Sequence, residues 1–174
     1  MNFRFEDLHA QTRFLMISEI KSDICKEKLY ISPVLNEIGR LLYPQLLLLA
    51  VKEGDEASLA KSLKFNNCVS LKKVRPTDSG LVLSRLPQNT HKLLAESEFN
   101  RFYLRALAIQ AIEAGKLLKI YCAKSKCSMQ REKAVIGNTL NPRLVLEQLR
   151  NTATVSNAFG IADKINTSLS ARIA

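Results

Sequence analysis

The sequence predicts a mainly helical α+β fold on the strength of three observations. Apolar residues recur at intervals of three and four through the first half of the chain and again in its centre, which is typical of helices. Two short apolar runs flank the turn-forming sequence RPTDSG and indicate a β-hairpin. The other strand-like runs come only after the central helical pattern, an order that favours α+β over alternating α/β. We therefore expect an N-terminal helical bundle, a short β-hairpin, a long central helix and a small C-terminal strand/helix segment.

The bundle is predicted to begin with an amphipathic helix over residues 6–29, where apolar side chains recur at helical spacing. Ser32 and Pro33 then offer an N-cap and a first helical position for a second helix. Pro44 is expected to kink or end this helix, because proline lacks the N–H that a helix interior needs. An almost wholly apolar helical run follows over residues 45–52.

Gly54 and Asp55 mark the next boundary. Glycine is a common helix stop, and aspartate is a preferred N-cap, so a third helix is predicted over residues 55–65. The strands of the hairpin then lie at residues 68–74 and 81–86. Two helices followed by a hairpin is the element order of a winged helix-turn-helix, with the hairpin as the wing.

The second half of the chain begins with its strongest helical pattern, which covers residues 90–114. After it the sequence predicts, in order, a strand at 116–124, a loop at 125–133, a strand at 135–140 and a helix at 142–150. With 174 residues and 47% hydrophobic content, the chain can build one hydrophobic core, and residues 1–150 are expected to form one globular domain. Residues 151–174, rich in Asn, Ser, Thr and Ala, are expected to form a partly ordered tail.

The same composition predicts a cytoplasmic protein without membrane contact or cofactor. Acidic residues at positions 6 and 7 interrupt the apolar run that a signal peptide needs, and the apolar stretch at 41–51 is shorter than the about 20 residues of a membrane span. Four cysteines in a reducing compartment are expected to be free thiols. Cys122 and Cys127 lack a second ligand pair, so no metal site is predicted.

Positive charge is concentrated in the strand and loop segments of this chain of net charge +10. Residues 67–88 hold four basic residues against one acidic, and residues 116–133 hold six against one. A local excess of this kind attracts polyanions, and phosphate is the obvious target. The candidate phosphate-binding residues are Lys72, Lys73, Arg75 and Arg85 of the hairpin, with Lys119, Lys124, Lys126, Arg131 and Lys133 of the later segment.

The leading hypothesis is a non-enzymatic module that binds the phosphate backbone of DNA or RNA. The third helix carries no arginine, so base reading would be poor and phosphate contact would dominate. The alternative is an assembly subunit that docks, or forms a homodimer, through the leucine-rich helical half. On that reading the positive charge serves solubility or an acidic protein partner.

Two further groups of residues have competing interpretations. Glu98, Arg101 and Arg105 share one helical face and form either an anion clamp or a structural ion pair. A metal-dependent nuclease could be assembled from Asp78, Glu113 and Lys116, but their spacing matches no nuclease signature. No catalytic residue is therefore assigned.

Overall fold

A computed structural model describes residues 3–70, 72–77, 80–125, 127, 129–152, 154–161 and 167–174. In these residues the fold is mainly helical α+β, with seven helices, a hairpin and a three-stranded antiparallel sheet. The elements are α1 Ala10–Cys25, α2 Glu37–Glu53, α3 Glu56–Phe65, β1 Lys72–Thr77, β2 Gly80–Arg85, α4 Thr90–Glu113, β3 Leu118–Cys122, α5 Gln130–Val135, β4 Thr139–Leu140, α6 Pro142–Asn151, α7 Val155–Ala158 and β5 Leu169–Ile173.

Helix α4 lies at the centre of the fold. Its 24 residues make it about 36 Å long at 1.5 Å per residue. Helices α1, α3 and α6 and strand β5 all pack against it, so apolar side chains on every side of α4 are buried. Polar and charged side chains are buried with them, Glu96, Glu98, Asn100, Arg101 and Arg105, so α4 departs from the all-apolar sequence expected of a helix buried on every side.

The first two helices begin later than predicted. Helix α1 has His9 as its N-cap, and of the residues before it Arg4 donates its N–H to the carbonyl of Ala123, just after β3, at 2.8 Å. The predicted start of α2 at residues 32–33 is wrong: its N-cap is Asn36, whose side chain accepts from the Gly39 N–H at 2.8 Å.

Helix α2 also continues through Pro44. An interior proline costs a helix about 3 kcal/mol. Here the neighbouring Tyr43 and Leu47 are fully buried in the core, and their burial outweighs that cost. Gly54 and Asp55 act as predicted: Gly54 is the C-cap of α2, and Asp55 forms a capping box with Ser58 at the start of α3.

Two antiparallel sheets follow. The hairpin runs in register from Lys72 opposite Arg85 to Thr77 opposite Gly80. The second sheet has the order β4-β3-β5, and β4 is only two residues long, shorter than the predicted strand at 135–140. The predicted loop at 125–133 is wrong in part because it includes the start of α5.

Buried polar contacts hold the last elements in place. The Glu132 carboxylate of α5 is buried and accepts from the Thr167 hydroxyl at 2.9 Å and from the Ser168 N–H at 2.6 Å. Within the segment expected as a tail, β5 pairs with β3 along its whole length and buries Leu169 and Ala171. Helix α6 begins at Pro142 after the N-cap Asn141, as predicted.

The expectation of four free thiols is wrong. Cys122 and Cys127 form a disulfide, because the turn after β3 brings their Cα atoms to 6.1 Å, within the range that this bond requires. Cys25 and Cys68 are free. None of the helices in the described ranges is long and apolar enough to cross a membrane.

The capping box of α3 makes a measurable contribution to stability. Asp55→Ala removes the acceptor of the Ser58 N–H, and we expect it to lower the free energy of unfolding by about 1 kcal/mol in urea denaturation. Glu53→Ala, an exposed change at the end of α2, is the control and should stay within about 0.5 kcal/mol of the unchanged protein. Equal losses in the two variants would contradict the capping role.

Candidate nucleic-acid interface

Backbone contacts hold the segment between α3 and the hairpin against the residues that precede α2. Leu35 forms a bridge with Val69, and the Asn36 N–H donates to the Cys68 carbonyl at 3.0 Å. Gly39 permits this close approach, because a Cβ at that position would lie 2.1 Å from the Cys68 oxygen. Helix α2, helix α3 and the hairpin thus follow one another in the element order of a winged helix-turn-helix.

Helix α3 turns a basic face outward. Leu59 and Leu63 are fully buried and fix the orientation of the helix in the core, while Lys61 and Lys64 are exposed on its other side. Phe65 at the end of the helix is 85% exposed. The sequence prediction of candidate residues missed both lysines, although the helical spacing of the two leucines would have placed them on the solvent side.

The candidate residues of the hairpin lie on its two strands. Lys72 and Arg85 are direct partners in the register, and both are exposed. Lys73 stands opposite Ser84 in the register, and Arg75 stands opposite Val82. The hairpin therefore carries two of its basic residues side by side at its root, next to the start of α4.

A cleft of about 150 Å³ lies where the end of α3, the root of the hairpin and the first turn of α4 meet. Lys64, Arg85 and His91 line it, one from each of these elements. Burial and the positive charges of Lys64 and Lys92 lower the pKa of His91, and a hydrogen bond with the Gln88 backbone opposes this shift. The electrostatic environment of the cleft is therefore positive.

The later basic segment lies on the other sheet. Lys119 stands between Thr139 and Arg172 in the register of β3, and it is exposed. Arg131 and Lys133 are exposed on α5, and Lys126 lies outside the described residues. The hairpin group therefore lies on one sheet, whereas the later group lies on β3 of the other sheet, just after it and on α5.

A carboxylate of the central helix engages Lys124. Its amino group lies 2.7 Å from Glu96 of α4 and 5.2 Å from the centre of the Phe3 ring. Lys92 approaches the same carboxylate at 3.9 Å. Glu96 thus partly neutralises the charge of the later segment where that segment comes closest to the start of α4.

Glu98 and Arg101 form a buried ion pair. The carboxylate of Glu98 accepts from Arg101 at 2.7 Å and from the Tyr43 hydroxyl at 2.8 Å. Burial raises the pKa of Glu98, and the charge of Arg101 opposes that effect. Both side chains are almost fully buried, so the geometry is that of a structural pair within α4, and the Tyr43 hydroxyl connects this pair to α2.

Arg105 pairs with α1 and not with Glu98. Its guanidinium donates to Glu19 at 2.8 Å and to Asp23 at 2.6 Å and 2.9 Å. Arg150 of α6 donates to the same Glu19 carboxylate at 2.6 Å. Arg105 is therefore satisfied by two carboxylates, and the cluster ties α1 and α6 to the central helix.

The nuclease alternative gains no geometric support. Asp78 lies outside the described residues, while Glu113 and Lys116 are exposed near the end of α4. Over the described ranges, no group of three or more His, Cys, Asp or Glu side chains could hold a metal ion.

Comparison with known proteins adds no assignment to this geometry. No family model, curated protein or solved structure matches the chain. The candidate interface therefore rests on the positions and charges of its own side chains.

The Glu19 cluster should make stability depend on acid pH. Burial raises the pKa of Glu19, but hydrogen bonds and charge from Arg150 and Arg105 outweigh it and lower the pKa below its ordinary value of 4.5. A lowered pKa adds stability above the unfolded-state value, and this stability is lost as the pH falls through the folded-state value. Glu19→Gln should lower the free energy of unfolding by about 3 kcal/mol at neutral pH and by much less at about pH 3.

Urea denaturation at both pH values measures this difference. Glu147→Gln, at an exposed carboxylate of α6, is the matched control and should change the free energy of unfolding by no more than about 0.5 kcal/mol. A loss from Glu19→Gln that is the same at both pH values would contradict an ionised Glu19 in the cluster.

Proposed function

We propose that the protein is a non-enzymatic nucleic-acid-binding module that contacts the phosphate backbone through α3 and the hairpin. The observation that carries the proposal is a set of four exposed cations on these two elements. We call it the α3–hairpin face: Lys61, Lys64, Lys72 and Arg85. Cations fixed on rigid elements at one surface favour phosphate binding over scattered charge, which mainly aids solubility.

The chemistry of this face favours backbone contact over base reading. Specific base contacts come mainly from Arg, Asn and Gln side chains with paired hydrogen-bonding groups. The exposed cations of α3 are both lysines, which act as point charges on phosphate. Asn66, just after α3, already donates to the Ser62 carbonyl at 2.9 Å. We therefore propose weak sequence preference and strong dependence on salt.

The later basic segment has a secondary role in this proposal. Lys124 is engaged by Glu96, which reduces its attraction for a phosphate. Lys119, Arg131 and Lys133 are exposed and extend the positive potential on the second sheet and α5. We assign first contact to the α3–hairpin face and long-range attraction to these residues.

Reversal of the α3 charges tests this proposal. Lys61→Glu combined with Lys64→Glu should weaken binding to labelled DNA or RNA by about tenfold or more, because two phosphate contacts are lost. The slope of log affinity against log salt should decrease by about 2. Binding would be measured with single-stranded and double-stranded DNA and RNA over a series of salt concentrations.

Lys21→Glu combined with Lys28→Glu is the matched control, since both lysines are exposed near α1 and the change in net charge is the same. This variant should keep most of the affinity. An equal loss of affinity in the two variants would mean that binding depends only on net charge and not on this face. If the unchanged protein does not bind nucleic acid even at low salt, the proposal is rejected.

A second candidate function is assembly through α2. Ile38, Leu41 and Leu49 are exposed, and their spacing places them on one stripe of the helix. Leu41 alone is 78% exposed. Such a stripe favours contact with another apolar surface, such as that of a second copy of the chain. Leu47 is fully buried and belongs to the core instead.

Leu41→Glu separates the two candidate functions. If α2 is an assembly surface, the change should reduce the mass measured by light scattering without unfolding the protein, because the side chain is exposed. A melting curve within a few degrees of that of the unchanged protein provides the control. A monomeric mass for the unchanged protein would reject self-assembly through this stripe.

A further inference from the structure

The cleft of about 150 Å³ beside the α3–hairpin face combines a defined volume with convergent charge. Lys64 enters from α3, Arg85 from β2 and His91 from the first turn of α4. None of the described residues that line it is acidic. Three nitrogen-bearing side chains from three elements thus surround one space that no carboxylate neutralises.

The charges around His91 are unfavourable in the free protein. Lys64 faces it from α3, Lys92 follows it on α4, and Arg85, with Lys72 opposite in the register, flanks the cleft from the hairpin. Burial and the two lysine charges hold the pKa of His91 below its ordinary value. An anion in the cleft would reverse the sign of this environment and favour the protonated imidazole.

The volume suits a small oxyanion. One water needs about 10–15 Å³ of such volume, so the cleft can hold a group of several heavy atoms such as a phosphate. Arginine and lysine both donate to phosphate oxygens, and protonated histidine adds a further donor. Ser70 and Gln88 also line the cleft and add polar groups to its wall.

We propose that this cleft is a phosphate-binding site in which Lys64, Arg85 and His91 hold one phosphate group of a nucleic acid. This inference rests on the proposed function in one respect, that the phosphate belongs to a nucleic acid. The recognition of the oxyanion itself is independent of that function. Arg85 and Lys64 supply permanent charge, and His91 becomes a third cation when the phosphate enters. Occupation of the site is therefore coupled to proton uptake, so affinity rises as the pH falls from about 8 towards 6.

Nuclear magnetic resonance of the two histidine rings measures this coupling directly. The pKa of His91 should rise when a short oligonucleotide without terminal phosphates binds, and it should rise less with inorganic phosphate alone. His9, at the N-cap of α1, is the internal control and should not respond. Arg85→Gln should abolish the His91 response and weaken oligonucleotide binding by about tenfold. Arg143→Gln, at an exposed arginine of α6, should do neither.

The outcomes separate this inference from the proposed function. If the oligonucleotide binds but neither it nor phosphate changes the pKa of His91, the cleft site is rejected and the α3–hairpin face stands. If phosphate raises the pKa and the oligonucleotide does not bind, the oxyanion site stands with a free phosphate compound as its ligand, and nucleic-acid binding is rejected. No response and no binding reject both.

Discussion

A helix that is buried round its whole circumference must satisfy every charged group it carries, and α4 buries four: Glu96, Glu98, Arg101 and Arg105. An unpaired buried charge would cost several kcal/mol, so each of these side chains requires a partner. Glu98 and Arg101 pair with each other within α4, and the partners of Glu96 and Arg105 come from neighbouring elements. Asp23 and Glu19 of α1 meet Arg105, and Lys124 after β3 meets Glu96. The choice of partners therefore dictates which elements surround the central helix and in what orientation.

The candidate interface is a consequence of this arrangement. Helix α3 packs on α4 through Leu59 and Leu63, and the Glu56 carboxylate at its start accepts from the Phe3 N–H at 2.8 Å. With one side fixed in the core in this way, the two lysines of α3 can only face outward. The segment that precedes the hairpin is bridged to the residue before the N-cap of α2, and the end of β2 is followed after four residues by the first turn of α4. The packing of the core thus determines on which surface the basic side chains of α3 and the hairpin lie.

Local signals in the sequence predicted the elements that depend on local interactions. The boundary at Gly54 and Asp55, the hairpin, and α4 all follow from caps, turn residues and helical spacing. Helix α5 and strand β5 could not be predicted in this way, because they depend on contacts with distant parts of the chain, such as the Asn100 amide that donates to the Leu169 carbonyl at 2.9 Å. The same limit applies to the candidate site. The charge of the sequence segments predicted that the hairpin is basic, but only the fold brings Lys64 of α3 to the cleft that Arg85 and His91 line.

Two positions on α4, Glu96 and His91, differ in the charges that surround them. At Glu96, one carboxylate lies close to two lysines, Lys92 and Lys124, and partly neutralises their charge. At His91, five residues earlier on the same helix, the neighbouring elements contribute only cationic or neutral side chains to the cleft, within the described part of the chain. A single substitution to an acidic residue in the wall of this cleft would offset the repulsion between its cations and a protonated His91. The positive charges around the cleft disfavour the protonated imidazole of His91 in the free protein. The same charges attract an incoming phosphate, so the two effects have one physical origin.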